Sequence, residues 1–115
     1  MKITNQDTNI LEVLNKESKL SVYGISRKIF SKLNSDGIRA KSSSILYRLK
    51  GLIKYNLVEE EKENGKTFYS IVEENVIFDY KNPRTKIGGM TIHYEKACAV
   101  RINSAWEVIT FDKSI

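Results

Sequence analysis

The sequence predicts an α+β fold: three helices, then a two-stranded hairpin, then a small C-terminal β extension. Three observations predict it. Apolar residues recur at three- and four-residue steps from Ile10 to Ile53, Asn64-Gly65 separates two strand-like runs, and apolar residues take alternate positions from Met90 to Ile102. The length of 115 residues suits one domain, or one domain with a short appended module. A chain of this size hides roughly 65% of its unfolded surface, enough for a real core without a metal or disulfide staple. With 41% hydrophobic and 29% charged residues, one Pro and six Gly, the composition is globular, neither disordered nor low in complexity.

The first helix is expected to begin near Asp7 or Thr8, either of which can accept a bond from the free N–H groups of a first turn. Ile10, Leu11 and Leu14 then share one face, and Lys16 to Lys19 is a polar break. Ser21 is a good N-cap for a second helix, in which Val22, Ile25, Ile29 and Leu33 form a stripe that Phe30 widens. Asn34-Ser35-Asp36-Gly37 is expected to end that helix, with Gly37 free to take positive φ. A third helix is expected from about Lys41, capped within Ser42-Ser43-Ser44, with Ile45, Leu46, Leu49, Leu52 and Ile53 as its apolar face. It should stop at Asn56, which tolerates a left-handed conformation. Leu57-Val58 leads into a strand through Glu63, Asn64-Gly65 supplies the tight turn, and Lys66 to Val72 returns. Beyond it we expect a strand over Val76 to Tyr80 and a polar loop from Lys81 to Gly89. The alternating run from Met90 to Ile102 is too long for one ordinary strand, so it should break near Glu95-Lys96. A short helix over Ala97 to Ile102 is the alternative there, and Trp106 to Phe111 is a final strand.

Charge is unevenly placed. The chain carries 19 Lys and Arg against 14 Asp and Glu, a net +5, yet Ser26 to Tyr55 alone holds eight basic residues and one acid, a net +7. No acid occurs between Arg39 and Val58, whereas Asn56 to Asn64 contains four Glu. The face of the third helix opposite its apolar stripe reads Ser43, Tyr47, Lys50 and Lys54, with Ser44 and Arg48 beside it. An ordinary solvated helix mixes acids with bases, and this face has none.

These residues resemble a family. Three helices followed by a two-stranded wing is the order of the winged helix-turn-helix fold. The stretch from Ser44 to Val58 resembles the recognition helix and first wing residues of MarR- and PadR-type transcription regulators, where leucines seven and four residues ahead of a helix-ending Gly-Leu-Val pack inward. Leu49 and Leu52 stand at those offsets, with Asn56 in the place of that Gly; Tyr23-Gly24-Ile25 is similar to the second helix of PadR proteins. The PadR tyrosine falls one residue late here, at Tyr47, with Leu46 in its place, and the C-terminal sequence does not look like the dimerising helix of that family. The resemblance covers about residues 8–72 and implies a winged-helix DNA-binding domain over 1–75; residues 76–115, outside it, read as a β-rich extension whose apolar face is a candidate for dimerisation.

The resemblance implies a third helix in the major groove, with the second helix and the wing on phosphates. Ser43, Ser44, Tyr47 and Arg48 are the candidates for the groove, and Ser42 is a further candidate DNA contact. Arg27, Lys28, Arg39, Lys41, Lys50 and Lys54 are candidates for the backbone, and Lys62, Asn64 and Lys66 for a flanking minor groove from the wing. The plainer reading of the same residues is a lysine-rich solvated surface. Tyr47 could stack at DNA or cover apolar surface beside Leu46. Glu59-Glu60-Glu61 must point away from DNA or pair with bases. His93 and Cys98 supply two metal ligands at most, so a surface histidine and a buried thiol are the simpler assignment. Tyr80, Tyr94 and Trp106 could line an effector pocket or merely pack. No Gly-rich phosphate loop, nucleophile elbow or defensible acid pair points to an enzyme, and no cofactor or metal is expected.

The expectation is a sequence-specific regulator of transcription on double-stranded DNA. The β extension has one apolar face to hide, either on the helical core or against a second subunit, and in the latter case that face would make a homodimer. The alternative is a winged-helix protein–protein interaction module in a transcription or mobile-element assembly, its basic face meeting an acidic protein. Lacking an apolar run of signal-peptide or membrane length, the chain reads as soluble, intracellular and cytoplasmic. Fourteen Lys, fourteen Ile and nine Asn suggest an AT-rich coding sequence of archaeal, bacterial, viral or plasmid origin.

Overall fold

A computed structural model describes residues 2–17, 19–79, 85–87, 90–92 and 97–110. Its elements run α1 (Asn5–Lys16), α2 (Val22–Ile29), α3 (Ser35–Lys54), β1 (Val58–Glu63), β2 (Lys66–Ile71), a 3-10 turn (Glu73–Asn75), β3 (Val76–Asp79), β4 (Thr85–Ile87), β5 (Met90–Ile92), β6 (Ala97–Ile102) and β7 (Ala105–Thr110). The chain is α+β, with three helices, a β-hairpin and a three-stranded antiparallel sheet in the order β3-β6-β7; β4 and β5 pair with each other.

Two helix starts differ from the expectation. α1 begins at Asn5, not at Asp7 or Thr8, because Thr4 and Asp7 form a capping box. The Asp7 N–H donates to the Thr4 hydroxyl at 3.2 Å, and the Thr4 N–H donates to Asp7 Oδ2 at 2.9 Å. α3 begins at Ser35, six residues ahead of Lys41. The cause is Asn34, whose side-chain oxygen accepts from the Gly37 N–H at 2.8 Å and so starts a helix instead of ending one. α2 stops at Ile29 with Phe30 as its C-cap, so Leu33 lies outside it and stays 40% exposed. Gly37 is ordinary helical backbone. A Cβ there would meet Leu33 Cβ at 3.2 Å and the capping oxygen at 3.3 Å, so its smallness is what the position uses.

Other signals hold. Ser21 caps α2 through the Gly24 N–H at 3.1 Å. α3 ends in a Schellman motif around left-handed Asn56 (φ 61°), with the Leu57 N–H on the Leu52 carbonyl and the Asn56 N–H on the Ile53 carbonyl, both at 2.9 Å. Asn64 (φ 51°) and Gly65 (φ 78°) make the two-residue turn between β1 and β2. A second such turn, Asn103 (φ 52°) and Ser104 (φ 66°), joins β6 to β7; Asn-Ser is a weaker sequence signal than Asn-Gly. Between α1 and α2, Leu20 exchanges backbone bonds with Tyr69 at 3.1 and 2.7 Å, adding a one-residue bridge to the hairpin.

Downstream, residues 85–87 form β4 where a polar loop was expected, paired with β5; Lys81, Pro83, Gly88 and Gly89 lie outside the described residues. The long alternating run is two strands, β5 and β6, in different sheets, and residues 97–102 are strand, not helix. The proposed break at Glu95-Lys96, together with His93, Tyr80 and Tyr94, lies outside the described residues.

One core joins the parts. Ile10, Leu11 and Leu14 of α1, Ile25 of α2 and Ile45, Leu49 and Leu52 of α3 cluster with Leu57, Val58 and Tyr69, and also with Val76, Cys98 and Val100 of the three-stranded sheet. The inner apolar face of the C-terminal sheet is thus covered by the chain's own helices. It is not left open for a second subunit, which removes the premise of a dimer through that face. On the other face, Trp106 and Val108 pack on buried Ala99. Burial and, secondarily, the Glu12 carboxylate push the Cys98 thiol from its ordinary 9.0 up to about 12. Among the described residues, no helix is long and apolar enough to cross a membrane.

Two outcomes follow from the shared core. Leu49→Ala should cost about 2–5 kcal/mol, and thermal unfolding followed by helix circular dichroism and by Trp106 fluorescence should give coincident curves in wild type and variant. Because the folded thiol ionises later than the unfolded one, its contribution is full below pH 9.0 and lost as pH rises toward about 12. Denaturant titrations should therefore show wild type losing stability relative to Cys98→Ala across that window, with little difference in slope below it.

Candidate nucleic-acid interface

The site starts from how α3 is held. Ile38, Ile45, Leu49 and Leu52 are buried on one side, which leaves Arg39, Ser43, Tyr47, Lys50 and Lys54 exposed on the other, again at three- and four-residue steps. Tyr47 is 73% exposed at the centre of this stripe, so it covers little apolar surface beside Leu46. Its ring lies 5.9 Å from the Arg48 guanidinium. A helix of this kind, flat on one side and rich in donors on the other, has the width that a DNA major groove admits.

The serines sit differently from the expectation. They are not at a helix start but in its second and third turns, with Ser42 half-buried. Ser42 Oγ donates to the Arg39 carbonyl at 2.6 Å and Ser44 Oγ to the Lys41 carbonyl at 2.8 Å. Both hydroxyls spend their proton inside the helix and keep acceptor lone pairs for any partner. Ser43, exposed one turn before Tyr47, is the hydroxyl best placed on the outer stripe.

Arg48 stands at the flank of α3 toward α1. Its Nε lies 3.8 Å from Oδ1 of Asp7, a carboxylate with no exposed surface whose other oxygen closes the capping box. A buried carboxylate is costly unless a cation accompanies it, so Arg48 has a structural task besides any contact outside. Thr4-Asn5-Gln6-Asp7 carries a capping-box pattern in the sequence; the pairing across forty-one positions carries none.

The remaining candidates divide by partner. Lys28 pairs with Glu17 at 3.0 Å, and Arg39 stands 4.0 Å from Asp36. Lys41 lies 6.0 Å from the Phe30 ring and Lys54 6.0 Å from the Tyr55 ring, neither within ion-pair distance of a carboxylate among the described residues. Arg27 and Lys28 border a groove of about 1000 Å³ between α2 and the start of α3, where Tyr23 and Leu33 are the exposed apolar side chains.

On the hairpin, Lys62, Asn64 and Lys66 are all exposed at or beside the tip. The acidic run is partly answered by a residue the sequence reading passed over. Lys19, in the break between α1 and α2, bonds Glu63 at 2.8 Å and Glu61 at 3.4 Å, and lies 5.6 Å from the Phe68 ring. The Glu63 bond chiefly raises its pKa. This places Glu61 and Glu63 on one face of β1, and Lys62, by alternation, on the other. Among the described residues no three of His, Cys, Asp and Glu gather as metal ligands. Trp106 is half-buried against the sheet beneath Arg101.

Comparisons with protein-family models, curated proteins and solved structures find no match.

The Asp7–Arg48 pair generates the test of this geometry. In a double-mutant cycle of Asp7→Asn and Arg48→Met, urea unfolding should give a coupling of about 1–3 kcal/mol, above the ~0.2–1 kcal/mol of exposed pairs. A coupling near zero would mean that Arg48 is held by packing alone.

Proposed function

We propose that the chain is a winged helix-turn-helix protein that binds double-stranded DNA sequence-specifically and regulates transcription, with α3 in the major groove and the β1–β2 hairpin as its wing. One observation carries the reading: the outer stripe of α3, where Tyr47 is 73% exposed between Ser43, Lys50 and Lys54 with no acid from Arg39 to Val58. The element order and the Leu20–Tyr69 bridge, which ties the hairpin to the helices, support the fold assignment.

In this reading Ser43, Ser44 and Tyr47 meet base edges, and Arg48 joins them with the guanidinium nitrogens that Asp7 leaves over. Arg27, Lys41, Lys50 and Lys54 neutralise phosphates and release condensed counterions. Lys28 and Arg39 do so only by loosening their carboxylate partners. Lys62, Asn64 and Lys66 reach a flanking minor groove. Two copies bound to a near-palindromic site would set their α3 helices about 34 Å apart, one turn of the duplex. Their contact would lie outside the inner face of the C-terminal sheet.

A second reading, a winged-helix module that docks an acidic protein segment, is favoured by the α2–α3 groove, where exposed Tyr23 and Leu33 adjoin Arg27 and Lys28.

Fluorescence anisotropy on a mixed-sequence duplex decides between the two. Wild type should bind with a steep salt dependence, each phosphate contact adding about 0.9 to the slope of log K against log salt. Lys50→Ala should reduce that slope. Tyr47→Ala should weaken binding to a selected operator more than to mixed-sequence DNA, circular dichroism being unchanged in both. Absence of binding at low salt would defeat the DNA reading and leave the groove as the functional surface.

A further inference from the structure

The basic residues fall into two electrostatic kinds, and the difference points beyond α3. Lys19, Lys28, Arg39 and Arg48 each stand within 4.0 Å of a carboxylate, so their charge is partly spent inside the molecule. Arg101, on β6, is held without being neutralised. Its Nε donates to Oδ1 of Asn75 at 2.9 Å, and its guanidinium lies 5.6 Å from the Trp106 ring. Asn75 is only 6% exposed, and its Nδ2 donates to the Asn56 carbonyl at 2.8 Å, at the Schellman end of α3. A neutral buried amide thus orients the guanidinium and ties it to the last turn of α3, while the positive charge and the outer Nη donors remain for a ligand. No carboxylate of the described residues lies within ion-pair distance of Arg101.

Arg101 does not stand alone. It lines a cleft of about 690 Å³ with Lys54 on one side and the Asn103-Ser104 turn on the other. Among the described lining residues, Lys54 and Arg101 are the two cations and the exposed Glu74 is the one acid. Lys54 is the next step of the outer stripe after Tyr47 and Lys50, and at 1.5 Å per residue it lies about 6 Å beyond Lys50 along the axis. The cleft therefore continues the proposed DNA face past the end of α3, where a helix leaving the groove meets the phosphate backbone.

We propose that this cleft is a phosphodiester-binding site, in which Lys54 and Arg101 hold a backbone phosphate of the duplex that α3 occupies and Ser104 and Asn103 add hydrogen bonds at the lip. It rests on the DNA-binding reading and gives the C-terminal sheet a direct part in it.

The test compares salt dependences of duplex binding by anisotropy for wild type, Arg101→Gln, Arg101→Lys, Glu74→Gln and Lys50→Ala, with melting curves to check folding. Arg101→Gln should lower the slope by about 0.9 and weaken low-salt binding several-fold, since one phosphate contact is lost. Arg101→Lys keeps the charge but not the planar fork, and should retain the slope even though the Asn75 bond changes. Glu74→Gln, which disturbs none of the Arg101 contacts, should tighten binding. A wild-type slope in Arg101→Gln and Glu74→Gln while Lys50→Ala weakens binding would overturn the cleft and leave the DNA reading standing. Failure of wild type to bind any duplex would overturn both. Inorganic phosphate, titrated at matched ionic strength by calorimetry, is the last arm. Saturable binding that Arg101→Gln abolishes, without any change in its duplex binding, would overturn the duplex assignment in favour of a free phosphate ligand.

Discussion

Everything on the candidate surface depends on the one-sided burial of α3. Ile38, Ile45, Leu49 and Leu52 lock the rotation of a 20-residue helix about its axis, because turning it by one position would swing them by about 100° and bring Arg39 or Lys50 toward the core. Asn34 and Asn56 fix its two ends by side-chain capping and left-handed backbone. With rotation and ends set, the outer stripe has no freedom to be anything but Ser43, Tyr47, Lys50 and Lys54. Packing on one side thus writes the chemistry of the other.

The second organising feature is the distribution of carboxylates. Asp7 pairs with Arg48 of α3, Glu17 with Lys28 of α2, and Glu61 and Glu63 share Lys19, which ties α1, the α1–α2 break and the hairpin to other parts of the chain, while Asp36 pairs with Arg39 within α3. Most of these pairs are exposed and contribute little individually; the Asp7–Arg48 pair is the exception, since one partner is wholly buried. A net charge therefore overstates the field outside the molecule. What matters at a surface is which cations lack an internal carboxylate; among the described residues Lys50 and Lys54 of the outer stripe and Arg101 beyond it are such cations, as are Arg27 of α2 and Lys62 and Lys66 of the hairpin.

Signals carried by adjacent residues were legible from the sequence. Ser21, Asn56 and Asn64-Gly65 each act through their own backbone or a neighbour's, and apolar spacing located all three helices. Asn34 shows the limit of such reading: an Asn before Ser-Asp-Gly can close one helix or open the next, and the choice rests on whether its oxygen finds the Gly37 N–H. The serine run was misplaced for the same reason, since hydroxyls that cap helices also bond back within them. Alternation over Met90 to Ile102 revealed strand but not that two sheets share the run. Lys19 with Glu63, Arg48 with Asp7 and Arg101 with Asn75 were invisible, because no periodicity links positions that only the fold brings together.

The shared core has a consequence for how the chain is made. Val100 and Cys98 seal a core that begins at Ile10, so the helices leave the ribosome ahead of the strand that closes over them, by roughly a few seconds at ordinary synthesis rates. During that interval the basic face of α3 exists on a nascent chain whose apolar side is still open. A chain stopped before residue 98 carries every candidate residue of that face and lacks the seal, which makes it a substrate for chaperones and proteases rather than a shorter version of the protein.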